Sequence, residues 1–197
     1  MFADIYSLMY DFLAVFLTGC VIKLLDDYLD QEYDLLNGKS TLAYRLGLGT
    51  SAYGILLFAI AVAFNWHLSV ALFFAAYITG MVCDINRSFV SGLSGLQEIV
   101  IFGVLGCLLV SIKTIFTAIF VLLFIQVIDD WMDIGQDYKI GQRNMFNSFG
   151  VIETWCCGLV FLLSAIMIDM YISLLVIAAT PLVIWAAKMT EREGMIR

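Results

Sequence analysis

Residues 114–144, TIFTAIFVLLFIQVIDDWMDIGQDYKIGQRN, decide how the chain is read. The apolar run over 114–128 stops abruptly at Asp129, Asp130, Asp133 and Asp137. In a helix, residues three, four and seven positions apart lie on one face, so Asp130, Asp133 and Asp137 form a carboxylate column. Such a column repels itself unless a positive charge sits among it. The same spacing occurs in DDYLDQEYD, residues 26–34, where Asp27, Asp30 and Asp34 close an earlier apolar run. The sequence therefore carries two matched acidic motifs, Asp26 standing 103 residues before Asp129. That offset points to a pseudo-repeat within a single transmembrane domain spanning residues 1–197.

Composition sets the environment. At 62% hydrophobic residues and a mean hydropathy of +0.97, the chain is too apolar for a soluble domain, which is normally near half apolar. An all-α, polytopic membrane helix bundle is expected. Of seventeen acidic residues, nine fall within 26–34 and 129–137, so the net charge of −7 describes a site more than a surface, and nucleic acid is not an expected partner. Cys20, Cys83, Cys107, Cys156 and Cys157 lack metal-type spacing and read as packing residues in membrane lipid. The first apolar run has neither a basic leader nor a small-residue cleavage site, and is expected to stay as a span.

At roughly 20 residues per span, helices are expected at 5–25, 51–66, 67–83, 97–112, 114–128, 149–168 and 170–187, about seven in all. Turns are expected at 65–67 and 111–113. Lys39, Arg45, Arg87, Lys139, Arg143, Lys188, Arg192 and Arg197 fall on one side of this topology and Lys113 on the other. The positive-inside rule then predicts a multi-pass cell-membrane protein with its N-terminus outside and its C-terminus cytoplasmic. Four spans separate the two motifs, which places both at the cytoplasmic interface, facing a central cavity open to that side.

Magnesium takes oxygen ligands, usually one or two carboxylates together with water and phosphate oxygens. Two carboxylate columns suit magnesium held around a diphosphate, with Asp26, Asp27, Asp30, Asp34, Asp130, Asp133 and Asp137 as candidate ligands. Asp30 and Asp133, central in each column, are the candidate catalytic pair. Lys39, Arg87, Lys139 and Arg143 are candidate diphosphate contacts, and equally serve as topology signals. For the acids, the alternative is a solvated helix end, made the weaker reading by the double occurrence. Asp11, inside the first run, receives no role; Glu98 and Glu153 fit helix N-terminal charges as well as ligands.

These motifs resemble those of the UbiA superfamily of intramembrane prenyltransferases, whose signatures are N/D-D-x-x-D-x-x-x-D and D-x-x-D-x-x-x-D. Asp26, Asp27, Asp30 and Asp34 fit the first, and Asp130, Asp133 and Asp137 the second. Lys139, Gly141, Arg143 and Gly150 are similar to the basic, glycine-containing segment that follows the second motif, and residues 92–106 resemble the glycine-rich entry to the span before it. The resemblance covers about 15 to 190. It departs where the family's R-P-L appears as Ser40, Thr41 and Leu42, where its Thr-Leu-Pro appears as Asn144, Met145 and Phe146, and in having fewer spans.

The resemblance implies a helical bundle that binds a prenyl diphosphate through magnesium, ionises it and passes the isoprenoid group to a lipid-soluble acceptor, an aromatic one included. Loss of peripheral helices also fits an intramembrane terpene synthase or prenyl diphosphate lyase. A CDP-alcohol phosphotransferase fits less well, because Asp30 is followed by Gln31 and no Ala-Arg pair. Outside enzymes, the alternatives are a divalent-cation transporter, whose acids would sit nearer the bilayer midplane, and a non-catalytic lipid-binding subunit.

Overall fold

A computed structural model describes residues 2–36, 40–82, 85–89, 91–140 and 144–194, with side chains described except at 2–4, 36, 136–140 and 192–194. The described residues form ten helices: α1 (Phe2–Leu29), α2 (Gln31–Leu36), α3 (Leu42–Leu46), α4 (Gly49–Phe64), α5 (Trp66–Met81), α6 (Gly95–Leu109), α7 (Ile112–Ile140), α8 (Met145–Phe149), α9 (Val151–Ile168) and α10 (Met170–Gly194). The protein is all-helical, with one isolated bridge, Ser88 to Ser94, among the described residues.

Five stretches are long and apolar enough to cross a membrane: Ile5–Leu29, Leu42–Phe64, Ile112–Gly135, Val151–Ile168 and Met170–Glu191. The other two expected spans, Trp66–Met81 and Gly95–Leu109, are apolar but only 16 and 15 residues long. Large apolar side chains face outward, Ile55 at 71% and Met167 at 86% exposure among them. That pattern is costly in water and expected against lipid.

The main departure from expectation lies at the acidic motifs. Helices α1 and α7 run past the expected ends at 25 and 128, because nothing in DDYL or DDWMD interrupts them. Asp30 is a turn between α1 and α2, yet the helical bonds continue through it, Asp30 N–H to Asp26 O and Asp34 N–H to Asp30 O, both 3.0 Å. Three short helices, α2, α3 and α8, lie outside the expected spans.

The chain divides into two compact units, Met1–Ser69 with Leu175–Arg197, and Val70–Leu174. In the first, α4 packs on α1 through Thr50, Gly54 and Ala61, a stripe of small buried residues that lets the backbones approach. Thr50 Oγ1 donates to Ala43 O at 3.0 Å, fastening α3 to α4. Between α4 and α5, Asn65 is extended (φ −151°, ψ 101°), and its Oδ1 accepts from Leu68 N–H at 3.1 Å. Its Nδ2 donates to Asp11 Oδ1 at 2.7 Å, giving that intramembrane acid a fixed partner. A methyl group on Gly19 would lie 2.8 Å from Val183 Cγ2, so α10 comes close to α1 there.

In the second unit, α9 packs on α7 through Thr154, Gly158 and Ala165, each 104 residues after its counterpart in α4. The turn at Asp169 (φ −150°, ψ 100°) repeats that at Asn65, with Oδ1 accepting from Ile172 N–H at 3.1 Å. Asp169 Oδ2 lies 2.9 Å from Lys113 Nζ. The five-residue helices α3 and α8 also correspond: each follows a buried polar N-cap, Thr41 or Asn144, and ends at a glycine with positive φ, Gly47 at 53° or Gly150 at 100°. Cys20, Cys107, Cys156 and Cys157 are free thiols, the last two exposed on α9 instead of packed as expected.

Candidate functional site

The first motif is built on the last turn of α1 and the start of α2. Asp27 is buried, Asp30 and Asp34 are half-buried and Asp26 is exposed. Lys23, one turn earlier, brings its Nζ to 3.1 Å from Asp26 Oδ2 and 3.0 Å from Asp27 Oδ1. A lysine near the end of an apolar helix is favoured there when a carboxylate neutralises it, and the i to i+3 and i+4 spacing supplies two. Burial, then the charges of Asp26 and Asp34, push the Asp30 carboxyl up to about 6, while Lys23 pulls the other way. Burial and the neighbouring carboxylates thus disfavour the charged form of Asp30.

The second motif lies wholly within α7 and is held differently. Asp130 Oδ2 accepts from Met145 N–H at 2.7 Å, and Asn144 Nδ2 donates to the backbone oxygen of Asp130 at 2.6 Å. Asn144, 2% exposed, also caps α8 through Phe146 N–H at 2.9 Å. Edge-on contacts of Trp155 with Trp131 and with Phe146, at 5.7 and 5.9 Å, pack α7, α8 and α9 behind this latch. Asp133 is half-buried one turn further along α7. Asp137 and Lys139 fall on α7, but their side chains lie outside the described residues, as do Lys39 and Arg143 altogether. Arg87 is exposed, with its guanidinium carbon 5.9 Å from the centre of the Phe89 ring.

Among the described residues, no three His, Cys, Asp or Glu side chains are gathered closely enough to hold a metal ion. The donors present still suit magnesium, which needs only one or two carboxylates when phosphate and water complete its shell. Asp130 keeps one oxygen engaged with α8, which gives it a positioning role that the spacing alone did not reveal.

Beside the first motif, Leu24, Leu42, Leu46, Tyr53, Leu56 and Leu57 line an apolar groove of about 340 Å³. It lies within the first unit, between α1, α3 and α4, and is of the size at which ligand pockets begin.

Glu98 is neither a free helix-end charge nor an open ligand. It is buried in the first turn of α6, and accepts hydrogen bonds from the Tyr77 and Ser91 hydroxyls. With the Ser94–Gln97 capping box, this ties Ser91 and α5 to the start of α6. Lys23, Asn144, Tyr77 and Ser91 were not singled out by sequence reasoning. Only Lys23 had a readable signal, its i+3 and i+4 acids.

No protein-family model, curated protein or solved structure matches the chain.

Proposed function

We propose that the protein is a magnesium-dependent intramembrane prenyltransferase, which ionises a prenyl diphosphate and delivers the prenyl group to a lipid-soluble acceptor. One observation carries this reading: the same spaced set of carboxylates occurs twice, each time on the continuation of a long apolar helix. Seven spans, with both motifs on the cytoplasmic side, belong to the same proposal.

Magnesium, when bound, supplies positive charge to the departing diphosphate. Asp30, at the junction of α1 and α2, and Asp133, within α7, would each offer a carboxylate to magnesium within its own motif. Asp27 and Asp130, tied to Lys23 and to α8, fix the direction of the turns that carry them. The apolar groove at Leu24 offers the isoprenoid chain a surface that excludes water from the reacting carbon. Exposed Arg87 would supply charge-assisted hydrogen bonds to diphosphate oxygens.

The test is diphosphate release from prenyl diphosphates by purified protein with magnesium, with and without quinol or phenol acceptors. Release that requires an acceptor supports the transferase. Acceptor-independent release would identify a synthase or lyase instead. No release with any chain length, alongside magnesium uptake by reconstituted vesicles, would replace the enzyme with a transporter.

A further inference from the structure

Between α5 and α6 the described backbone folds back on the start of α6. Gly95 N–H donates to Arg87 O at 3.1 Å and Leu96 N–H to Ile85 O at 3.0 Å, so two first-turn N–H groups with no partner inside the helix are taken by the chain before it. Ser88 pairs with Ser94, and Gly92, at φ 79°, donates its N–H to Phe89 O at 2.9 Å. One buried side chain fastens this turn. Glu98, 4% exposed, accepts from the Ser91 hydroxyl on the turn and from the Tyr77 hydroxyl on α5. An exposed carboxylate would complement the helix N-terminus as well. What burial against two hydroxyls adds is a fixed position for Ser91, since a carboxylate is costly to bury unless such donors offset it.

The turn carries Arg87. Its guanidinium carbon lies 5.9 Å from the centre of the Phe89 ring, within cation–π range, and Phe89 is the residue whose carbonyl Gly92 holds. Helix α6 packs on α7 and joins it through Val110 and Ser111, and a methyl group on Gly106 would lie 2.8 Å from Ile115 Cδ1. At about 1.5 Å per residue along either helix, the start of α6 is level with Gln126. Helix N–H groups point out of the N-terminal end, so the carbonyls of Ile85 and Arg87 lie beyond it, toward the level of Asp130 and Asp133. The Arg87 turn and the second motif thus share one end of the second unit.

We propose that Glu98 is a positioning residue for diphosphate binding: through Ser91 and the turn at Phe89 it fixes the direction of the Arg87 guanidinium, which takes an oxygen of the substrate. This rests on the reading of the protein as a prenyl diphosphate enzyme, and adds the device that holds Arg87. A guanidinium binds phosphate through a planar fork, so its direction matters as much as its charge. An arginine on an unfastened loop would lose backbone and side-chain freedom when it binds; with the turn closed beforehand, that cost falls on folding and not on binding. The buried hydroxyl of Ser91 and the exposed guanidinium of Arg87 are thereby parts of one device, although they do not touch the same group.

The experiment uses the full chain in detergent with magnesium, and inorganic pyrophosphate as the probe, read by calorimetry. Arg87→Gln is expected to weaken pyrophosphate binding about thirtyfold, the loss of a charge-assisted hydrogen bond. Glu98→Gln, of the same shape, should weaken it about fivefold and Ser91→Ala about threefold. The decisive readout is the pair of double variants. If Glu98 acts through Arg87, adding Glu98→Gln or Ser91→Ala to Arg87→Gln costs no further affinity, because the group they position is already gone. If Glu98→Gln lowers thermal stability and leaves pyrophosphate affinity unchanged, or weakens it by the same factor with and without Arg87, Glu98 is only a structural cap and the proposal fails. Ser91→Ala decides the same question where Glu98→Gln does not fold. Wild-type binding that Arg87→Gln does not alter would overturn this proposal and leave the enzyme reading standing. A wild-type protein that binds no pyrophosphate would remove the enzyme reading, and the role of Glu98 with it.

Discussion

The two acidic motifs have the same spacing and different supports. The first sits where α1 breaks into α2 and leans on a lysine from its own helix; the second sits inside one continuous helix and is latched to the next element by Asn144 and Met145. An ion pair along one helix constrains only that helix. The hydrogen bond that Asp130 accepts from Met145 N–H, fifteen positions on, fastens α8 to α7 as well. Like spacing in sequence therefore does not imply like mechanics: the first motif is tied by ion pairs along its own helix, and the second is fastened to the next helix.

The largest expected effect separates joint from independent action. Asp30→Ala and Asp133→Ala should each lower diphosphate release by roughly 10³-fold, the order seen when one transition-state charge stabiliser is removed. If both act on one substrate, the double variant should be little worse than either single one. Single-turnover diphosphate release measures this, and multiplying losses would show two separate sites.

Next comes the latch. Asn144→Ala should destabilise the fold by about 1–3 kcal/mol, because it removes two hydrogen bonds and leaves buried backbone groups to find new partners. Thr41→Ala, at the corresponding N-cap, loses one bond of 3.3 Å to Tyr44 N–H and should cost about 1 kcal/mol. Thermal melts in one detergent rank the two, and equal losses would undo the contrast between the motifs.

Smaller still is the difference between the packing stripes. A methyl group on Gly158 would lie 3.0 Å from Val127 Cγ1, whereas one on Gly54 would meet Leu25 Cδ2 at an ordinary 3.7 Å. Gly158→Ala should therefore cost about 1 kcal/mol more than Gly54→Ala. Similar melting points for the pair would mean that α7 and α9 have more room than these distances allow.

The smallest effect is a pH dependence confined to one turn. Partial burial works to raise the Asp169 carboxyl, but Lys113 and the N–H groups of Ile172 and Tyr171 outweigh it and hold it below its ordinary value. A depressed acid contributes stability above its unfolded value, near 3.9, and loses it as pH falls through its lower folded value. With Lys113 largely exposed, the contribution should stay below about 1 kcal/mol. Asp169→Asn should remove that part of the acid sensitivity, measured by melts between about pH 5 and pH 3.

Much of the helical architecture was legible because apolar runs and their breaks at Asn65 and Ser111 follow from residue type alone. The short helices α2, α3 and α8 were not, since five or six residues carry too little periodicity to be distinguished from a loop. Asp30 and Asp133 could be picked out by spacing. The latch at Asn144 could not, because the partner of Asp130 is a backbone N–H, which every residue but proline possesses. Glu98 shows the same limit: its burial depends on hydroxyls from Tyr77 and Ser91, neither of which advertises a carboxylate partner in the sequence.

The composition of the first unit also bears on how the protein is made. Residues 1–69 emerge from the ribosome before residues 70–174, but their compact unit includes the stretch from Leu175 onward, which is made after both. At about 5–20 residues per second, α1 and α4 wait several seconds for α10, while residues 70–174 can complete their own unit first. During that interval the glycine face of α1 at Gly19, later approached by Val183, is open to lipid or to a membrane chaperone. A stop codon near residue 174 would thus leave the later-made unit with all its parts and deprive the earlier-made one of its closing helix.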